Sequence, residues 1–165
     1  MYMKTVLEYL RTTKVRASIA IVCFVSIGFI ATFGPHYQLL YSDGGSMEDT
    51  IQDGRWIVMK KRYSLGSTWK PVKYDIVAVY AGDGDLLIKR VLGLPGDAIE
   101  LRDGYIFING KKEANHNYGS GKIQSVDNLP QIVSEDYIWV IGDNRNESMY
   151  GMYPVKRVKG KIISW

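Results

Sequence analysis

The chain has 165 residues, a formal net charge of +4 and an ordinary composition, which excludes a disordered or low-complexity protein. The first 16 residues hold four basic residues and one acidic residue, so the rest of the chain carries only +1. This balance argues against a nucleic-acid-binding face on the domain. The sequence argues against a zinc site, because it offers only one cysteine, Cys23, and two scattered histidines, His36 and His116.

An apolar segment follows the basic N-terminus. It runs from Ala17 to Phe33, and no Asp, Glu, Lys or Arg occurs between Arg16 and Asp43. The segment is near the short limit for a membrane-spanning helix, and a Gly-Pro pair ends it. We predict a transmembrane anchor over residues 17–34. A cleaved signal peptide and a buried soluble helix fit less well, because small cleavage-site residues and a clear polar face are both missing.

The charges on either side of the anchor predict its orientation. Basic residues precede it, whereas the first charges beyond it are acidic up to Arg55. The positive-inside rule then places a tail of residues 1–16 in the cytoplasm. It places a domain of residues 36–165 on the outer, periplasmic side of the cytoplasmic membrane, with the lipid bilayer as a partner.

Beyond residue 40 the pattern changes to short runs rich in β-branched residues, separated by Gly and Asp. This pattern is typical of a mainly β domain built as an antiparallel sheet or barrel. We predict strands at 55–59, 75–80, 86–91, 98–101, 105–108 and 137–141, with a hairpin turn at 102–104. The polar segment 111–131 is predicted to be an exposed loop.

Two residues could carry chemistry. Ser46 follows two glycines, and such a turn can present a hydroxyl together with bare N–H groups. Lys89 lies in an apolar run, where lost hydration would lower its pKa and make it a base near neutral pH. Taken singly, each residue has a simpler explanation. Ser46 could lie in an ordinary Gly-Ser loop, and Lys89 could extend its ammonium from the strand edge into water. A Ser-His-Asp triad would have to use His36 or His116.

Four short segments are distinctive when they are taken together. The segments are Ser46-Met47 with Thr50-Ile51, Tyr74-Asp75-Ile76-Val77, the run from Lys89 to Asp97, and Gly142-Asp143-Asn144-Arg145 with Ser148. In their order along the chain, covering most of residues 44–152, they resemble type I signal peptidases, which are membrane serine endopeptidases with a Ser/Lys dyad.

The resemblance implies an enzyme that removes signal peptides from exported preproteins after small residues, without a metal or cofactor. Ser46 would be the nucleophile, and its N–H would stabilise the oxyanion. Lys89 would be the general base, and Ser148 would orient it. The substrate would bind as an added strand. Its small side chains would enter shallow pockets lined by Met47, Leu87 and Ile88.

The chain also departs from the family pattern. Asp49 replaces the usual proline, and Gly44 removes a hydroxyl donor that some members have. Tyr150-Gly151 and Met152 replace residues of an internal ion pair, a role that Asp143 with Arg90 or Arg145 could fill. Ser42 and Asp43 make the pocket rim more polar.

These changes leave three alternatives open. The chain could be a specialised peptidase for a pilin or a conjugation-system subunit. It could be a catalytically weak, membrane-tethered assembly subunit. It could also be a surface protein whose apolar start is a cleaved signal peptide.

Overall fold

The computed structural model describes residues 13–82, 84–113, 122–123 and 129–165. The chain forms two compact units, Met1–Tyr37 and Gln38–Trp165. Most of the predicted tail, residues 1–12, lies outside the described residues.

The described part of the first unit contains one helix, α1 (Thr13–Phe33). Its 21 residues give a length of about 31 Å, close to the hydrocarbon thickness of a bilayer. The stretch Lys14–Phe33 has a mean hydropathy of 2.0 and none of it is buried, so it is long and apolar enough to cross a membrane. The hydroxyls of Ser18 and Thr32 donate to the carbonyls four residues earlier, which satisfies them within the helix. The predicted apolar helix is therefore present.

The described residues beyond α1 form two sheets. The seven-stranded sheet has the order β1-β2-β11-β3-β4-β9-β10, and the four-stranded sheet has the order β7-β6-β5-β8. The strands are β1 (Tyr37–Tyr41), β2 (Trp56–Lys61), β3 (Ile76–Tyr80), β4 (Leu86–Gly93), β5 (Ala98–Arg102), β6 (Tyr105–Ile108), β7 (Lys111–Lys112), β8 (Gln131–Ile132), β9 (Tyr137–Ile141), β10 (Tyr150–Pro154) and β11 (Val158–Ser164). The pairings from β2 through β11, β3, β4 and β9 to β10 are antiparallel, as are those of the smaller sheet. The prediction of a mainly antiparallel β fold is confirmed.

The sequence did not predict strand β11, although it lies between β2 and β3 in the large sheet. Its alternation is regular, because Val158, Gly160 and Ile162 are buried while the lysines between them are more exposed. Gly160 allows close packing, since a Cβ at this position would lie 2.3 Å from the carbonyl oxygen of Lys60. The sequence Lys159-Gly160-Lys161 lacks the β-branched pattern used to predict strands, so this interior strand was not predicted.

Strand β4 carries the residues that matter for the site. Leu87 and Val91 pack into one hydrophobic cluster, whereas Ile88 packs against another, as the alternation of a strand requires. Lys89 pairs with Val77 of β3, and Arg90 pairs with Ile141 of β9. Both charged residues therefore project from an interior strand.

The segment 111–131, predicted to be a loop, is only partly described. The loop prediction is wrong at both described ends, because Lys111-Lys112 pairs with β6 and Gln131 pairs with β5. Glu113 is buried, so exposure was wrong there as well. Residues 114–121 and 124–128, which include His116, lie outside the described residues.

Candidate active site

Ser46 lies in a single 3₁₀ turn, Gly45–Met47, between β1 and β2. Gly44 enters this turn with a φ of 112°, a conformation that a residue with a side chain rarely adopts. One carboxylate oxygen of Asp53 accepts hydrogen bonds from the N–H groups of Gly44 and Gly54, each at 2.9 Å. Met47 is 2% exposed and fixes the turn to the core. The sequence Gly-Gly-Ser-Met therefore builds a turn that is anchored on both sides of the serine.

The turn brings Ser46 to Lys89 of β4. The Nζ atom of Lys89 lies 2.6 Å from the Oγ atom of Ser46. The two residues are 43 positions apart in the chain, so the fold creates this contact. In such a hydrogen bond the hydroxyl donates to a neutral amine, or accepts from an ammonium. The arrangement is that of a nucleophile beside its general base.

Burial makes Lys89 suitable as a base. The residue is 4% exposed. Desolvation lowers its pKa from 10.5 to about 8, while the negative charge of Asp143 acts in the opposite direction. About one lysine in ten is then neutral at pH 7, compared with fewer than about one in a thousand at the ordinary pKa.

Asn144 holds the backbone on both sides of Ser46. Its N–H donates to the carbonyl oxygen of Ser46 at 3.0 Å, and its Nδ2 donates to the carbonyl oxygen of Gly45 at 3.1 Å. Gly142 allows this approach, because a Cβ there would lie 2.1 Å from the Ser46 carbonyl oxygen. The Gly-Asp-Asn segment after β9 thus packs against the turn that contains Ser46.

Arg90, the residue after Lys89, forms a buried ion pair with Asp143. Arg90 donates two hydrogen bonds to the carboxylate of Asp143, at 2.8 and 2.6 Å, and Asp143 is fully buried. Thr50 donates to the same carboxylate at 2.5 Å, and Arg90 also donates to the carbonyl oxygen of Tyr74. These contacts join the segment that follows Ser46, strand β4 and the Gly-Asp-Asn segment. Of the two arginine partners considered for Asp143, the structure pairs it with Arg90.

Arg145 has a different partner, which the sequence did not reveal. It donates to both carboxylate oxygens of Glu113, at 2.8 and 3.1 Å, and both side chains are almost completely buried. Its Nε donates to the carbonyl oxygen of Gly142. Glu113 lies in a polar stretch that predicts exposure, so only the tertiary fold shows its role.

The hydroxyl of Ser148 makes two hydrogen bonds to the backbone. It accepts from the N–H of Gly142 at 2.5 Å and donates to the carbonyl oxygen of Met149 at 2.8 Å. Among the hydrogen bonds of the described residues, the expected contact from Ser148 to Lys89 is not found. In this geometry Ser148 instead fixes the start of the Gly-Asp-Asn segment.

The departures from the family pattern are accommodated by packing. The ring of Tyr150 lies 5.5 Å from that of the fully buried Trp139, and Met152 stands opposite Trp139 in the β9–β10 pairing. Apolar contacts thus occupy positions where the resemblance implied an internal ion pair. Of the two residues expected to make the pocket rim polar, Asp43 is exposed, whereas Ser42 is buried, so that expectation is wrong for Ser42. Asp49 is exposed.

The predicted substrate-binding residues separate into two groups. Met47 and Ile88 belong to one hydrophobic cluster, whereas Leu87 packs against the other. Met47 is buried, while Leu87 and Ile88 are half-buried. Among the described residues, no group of three or more His, Cys, Asp or Glu side chains could hold a metal ion.

A serine hydroxyl in contact with a buried lysine, on an antiparallel β scaffold, is the arrangement of serine hydrolases that use a lysine base. The sequence model of the family described as "Signal peptidase, peptidase S26" matches residues 11–165. The chain is 30% identical to signal peptidase I of Bacillus amyloliquefaciens over 131 residues, or 72% of this chain and 69% of that protein. It is 31% identical to signal peptidase I V of Bacillus subtilis over 138 residues, or 73% of this chain and 80% of that protein.

The chain therefore belongs to the signal peptidase family, peptidase S26, and it is a serine-type endopeptidase of the signal peptidase I kind. The resemblance found in the sequence is confirmed. A crystal structure of a signal peptidase I from Enterococcus faecalis matches with a TM-score of 0.45 and 28% sequence identity, over 59% of this chain and all of that chain.

Proposed function

We propose that this chain cleaves N-terminal signal peptides from exported preproteins, with Ser46 as the nucleophile and Lys89 as the general base. The observation that carries this proposal is the 2.6 Å contact between the Nζ of Lys89 and the Oγ of Ser46. A lysine with a pKa of about 8 can accept a proton near neutral pH.

The reaction follows from this contact. Neutral Lys89 takes the hydroxyl proton while the Oγ of Ser46 bonds to the scissile carbonyl carbon. The carbonyl oxygen becomes an oxyanion, which the N–H of Ser46 stabilises. The Lys89 ammonium then returns the proton to the leaving amine, and water hydrolyses the acyl-enzyme. Asp143, paired with Arg90, lies close enough to stabilise the ammonium, and Ser148 and Arg145 hold the supporting segment.

We propose further that the substrate lies extended beside β4, since backbone pairing along a strand tolerates many sequences. Met47 and Ile88, which share one cluster, support the pocket for the small side chain before the cut. Leu87 would contact a neighbouring substrate position. Shallow pockets backed by a packed core exclude large side chains.

The membrane arrangement is also a proposal. Residues 17–34 would span the cytoplasmic membrane once, residues 1–16 would lie in the cytoplasm, and residues 36–165 would lie on the periplasmic side. The apolar helix α1 and the basic residues before it support this arrangement. A bilayer-bound enzyme would meet preproteins while their signal peptides are still in the membrane.

The test uses the full chain in detergent micelles and a peptide that spans a signal-peptide cleavage site, with alanine at the first and third positions before the cut. We expect wild type to cleave after the first alanine, as measured by mass spectrometry. Ser46→Ala and Lys89→Met should reduce the rate by at least about a thousandfold, since neither half of a nucleophile–base pair works alone. Leucine in place of the first alanine should prevent cleavage.

The controls are exposed residues of the same types, Ser134→Ala and Lys156→Met. Both should retain the wild-type rate. Retention of the full rate by Ser46→Ala or Lys89→Met would reject the proposed roles, and an inactive wild type would reject the proposed substrate.

A further inference from the structure

The peptide group between Gly45 and Ser46 contains the N–H to which the oxyanion role is assigned. In the described part of the chain this N–H donates no hydrogen bond, so it is available to a substrate. Its direction is nevertheless fixed. A peptide group is planar and trans, and its N–H and C=O point in opposite directions. Any contact that holds the Gly45 carbonyl oxygen therefore aims the Ser46 N–H.

Two donors hold that oxygen. The N–H of Glu48 donates to it at 3.1 Å and closes the 3₁₀ turn, and the Nδ2 of Asn144 donates to it at 3.1 Å from another segment. A carbonyl oxygen only accepts, so the amide nitrogen of Asn144 must be the atom that faces it. Two donors on one carbonyl also polarise the peptide group and strengthen its own N–H as a donor.

We propose that Asn144 is a positioning residue for the oxyanion: its side-chain amide aims and polarises the Ser46 N–H through the Gly45 carbonyl. This inference rests on the proposed function. Of the atoms of Asn144, only the side-chain Nδ2 donates to the Gly45 carbonyl oxygen, because the backbone N–H of Asn144 donates to the Ser46 carbonyl oxygen. A side-chain substitution therefore removes one contact and leaves the other.

The chemical consequence is confined to the step in which charge develops. As the Oγ of Ser46 bonds to the carbonyl carbon, its proton passes to Lys89 and the carbonyl electron pair moves to the oxygen. That oxygen becomes an anion opposite the Ser46 N–H. Since the interaction is strongest in the transition state, its loss lowers kcat and leaves KM nearly unchanged.

Two variants test the proposal in the full chain. Asn144→Leu removes the donor at similar size, and Asn144→Asp replaces it with an acceptor that faces another acceptor. We expect kcat to fall about tenfold in Asn144→Leu and by a larger factor in Asn144→Asp. The loss in Asn144→Leu should be smaller than the loss of about a hundredfold or more that follows removal of a donor in direct contact with the oxyanion. Asn146→Leu is the matched control, because Asn146 is exposed on the same loop and contacts Lys122 instead.

Two inhibitors separate positioning from a general loss of structure. A peptide aldehyde forms a tetrahedral adduct with Ser46 that carries the oxyanion, whereas the matching peptide alcohol binds without it. In Asn144→Leu the aldehyde should bind about tenfold more weakly, in parallel with kcat/KM, and the alcohol should bind as in wild type. The pH midpoint of the rate should not move, since Lys89 is untouched.

Four results for Asn144→Leu would each overturn the positioning role. They are equal weakening of both inhibitors, a shift of the pH midpoint, a loss of activity that appears in KM, and an unchanged kcat. If Asn144→Leu fails to fold, Asn144→Ala decides by the same comparison, because it also removes the donor and adds no charge near Lys89. A wild type that cleaves no signal peptide would reject the proposed function instead, so the two failures are distinguishable.

Discussion

Replacement of Lys89 by methionine should change how the stability of the protein depends on pH. Methionine fills similar space without a charge. In wild type below pH 8, folding places an ammonium in a site where it is 4% exposed. The pKa falls from 10.5 to about 8 on folding, and this difference corresponds to about 3 kcal/mol of lost stability while the lysine is charged in both states.

The sign follows from proton linkage. Because the folded pKa lies below the unfolded one, the unfolded chain binds more protons between about pH 8 and 10.5, and stability rises with pH across that window. The cost is about 3 kcal/mol at pH 7 and falls below about 1 kcal/mol at pH 10. Lys89→Met has no such cost. Its free energy of unfolding relative to wild type should therefore decline by about 2–3 kcal/mol from pH 7 to pH 10.

The assay is urea unfolding of the full chain in detergent micelles at pH 7, 8, 9 and 10, followed by tryptophan fluorescence, to which the buried Trp139 contributes a change on unfolding. The lost hydrogen bond to Ser46 adds a constant offset, so only the pH-dependent part is compared. Lys156→Met is the control, because that ammonium is exposed. A difference between Lys89→Met and wild type that stays constant from pH 7 to pH 10 would refute a depressed pKa for Lys89.

Three further substitutions test the supporting structure, each by urea unfolding at pH 7. Glu113→Gln leaves Arg145 buried without its counter-charge and should lower the free energy of unfolding by about 3 kcal/mol; a loss below 1 kcal/mol would mean that the pair is solvated. Gly160→Ala places a Cβ against the carbonyl oxygen of Lys60 and should cost about 1–3 kcal/mol, so an unchanged midpoint would contradict the close approach of β11 and β2. Asp143→Asn should destabilise the chain by a similar amount. Because the charge of Asp143 raises the pKa of Lys89, its removal should also move the pH midpoint of the remaining activity downward. An upward movement of that midpoint would contradict this assignment.

Much of the fold was predictable because its strands carry local signals. The β-branched runs that became β2, β3, β4 and β9, and the hairpin at 102–104, were all found in or near their predicted positions. Strands β1, β7, β8, β10 and β11 were missed. The two-residue strands β7 and β8 lie within or at the end of the predicted loop, and the other three contain glycine, tyrosine or lysine where a continuous β-branched run was sought. The pairing of β11 with β2 and β3 also depends on strands that are distant in the chain.

The candidate site divides in the same way. Ser46 and Lys89 were named from short segments, and the fold brings them within hydrogen-bonding distance. The burial that lowers the pKa of Lys89 comes from several packed strands, so its extent was not readable from the sequence. Glu113 and the role of Asn144 depend on contacts across 32 and 99 positions, respectively, which no local pattern encodes.

The pH dependence of kcat/KM for a signal-peptide substrate tests the Ser46–Lys89 pair most directly. Measured from pH 6 to pH 10.5 in detergent micelles, the rate should rise with the neutral fraction of Lys89, reach half its maximum near pH 8 and then level off. A rate that is still climbing in proportion to hydroxide at pH 10, as an ordinary lysine would give, would contradict the claim that buried Lys89 is the base for Ser46.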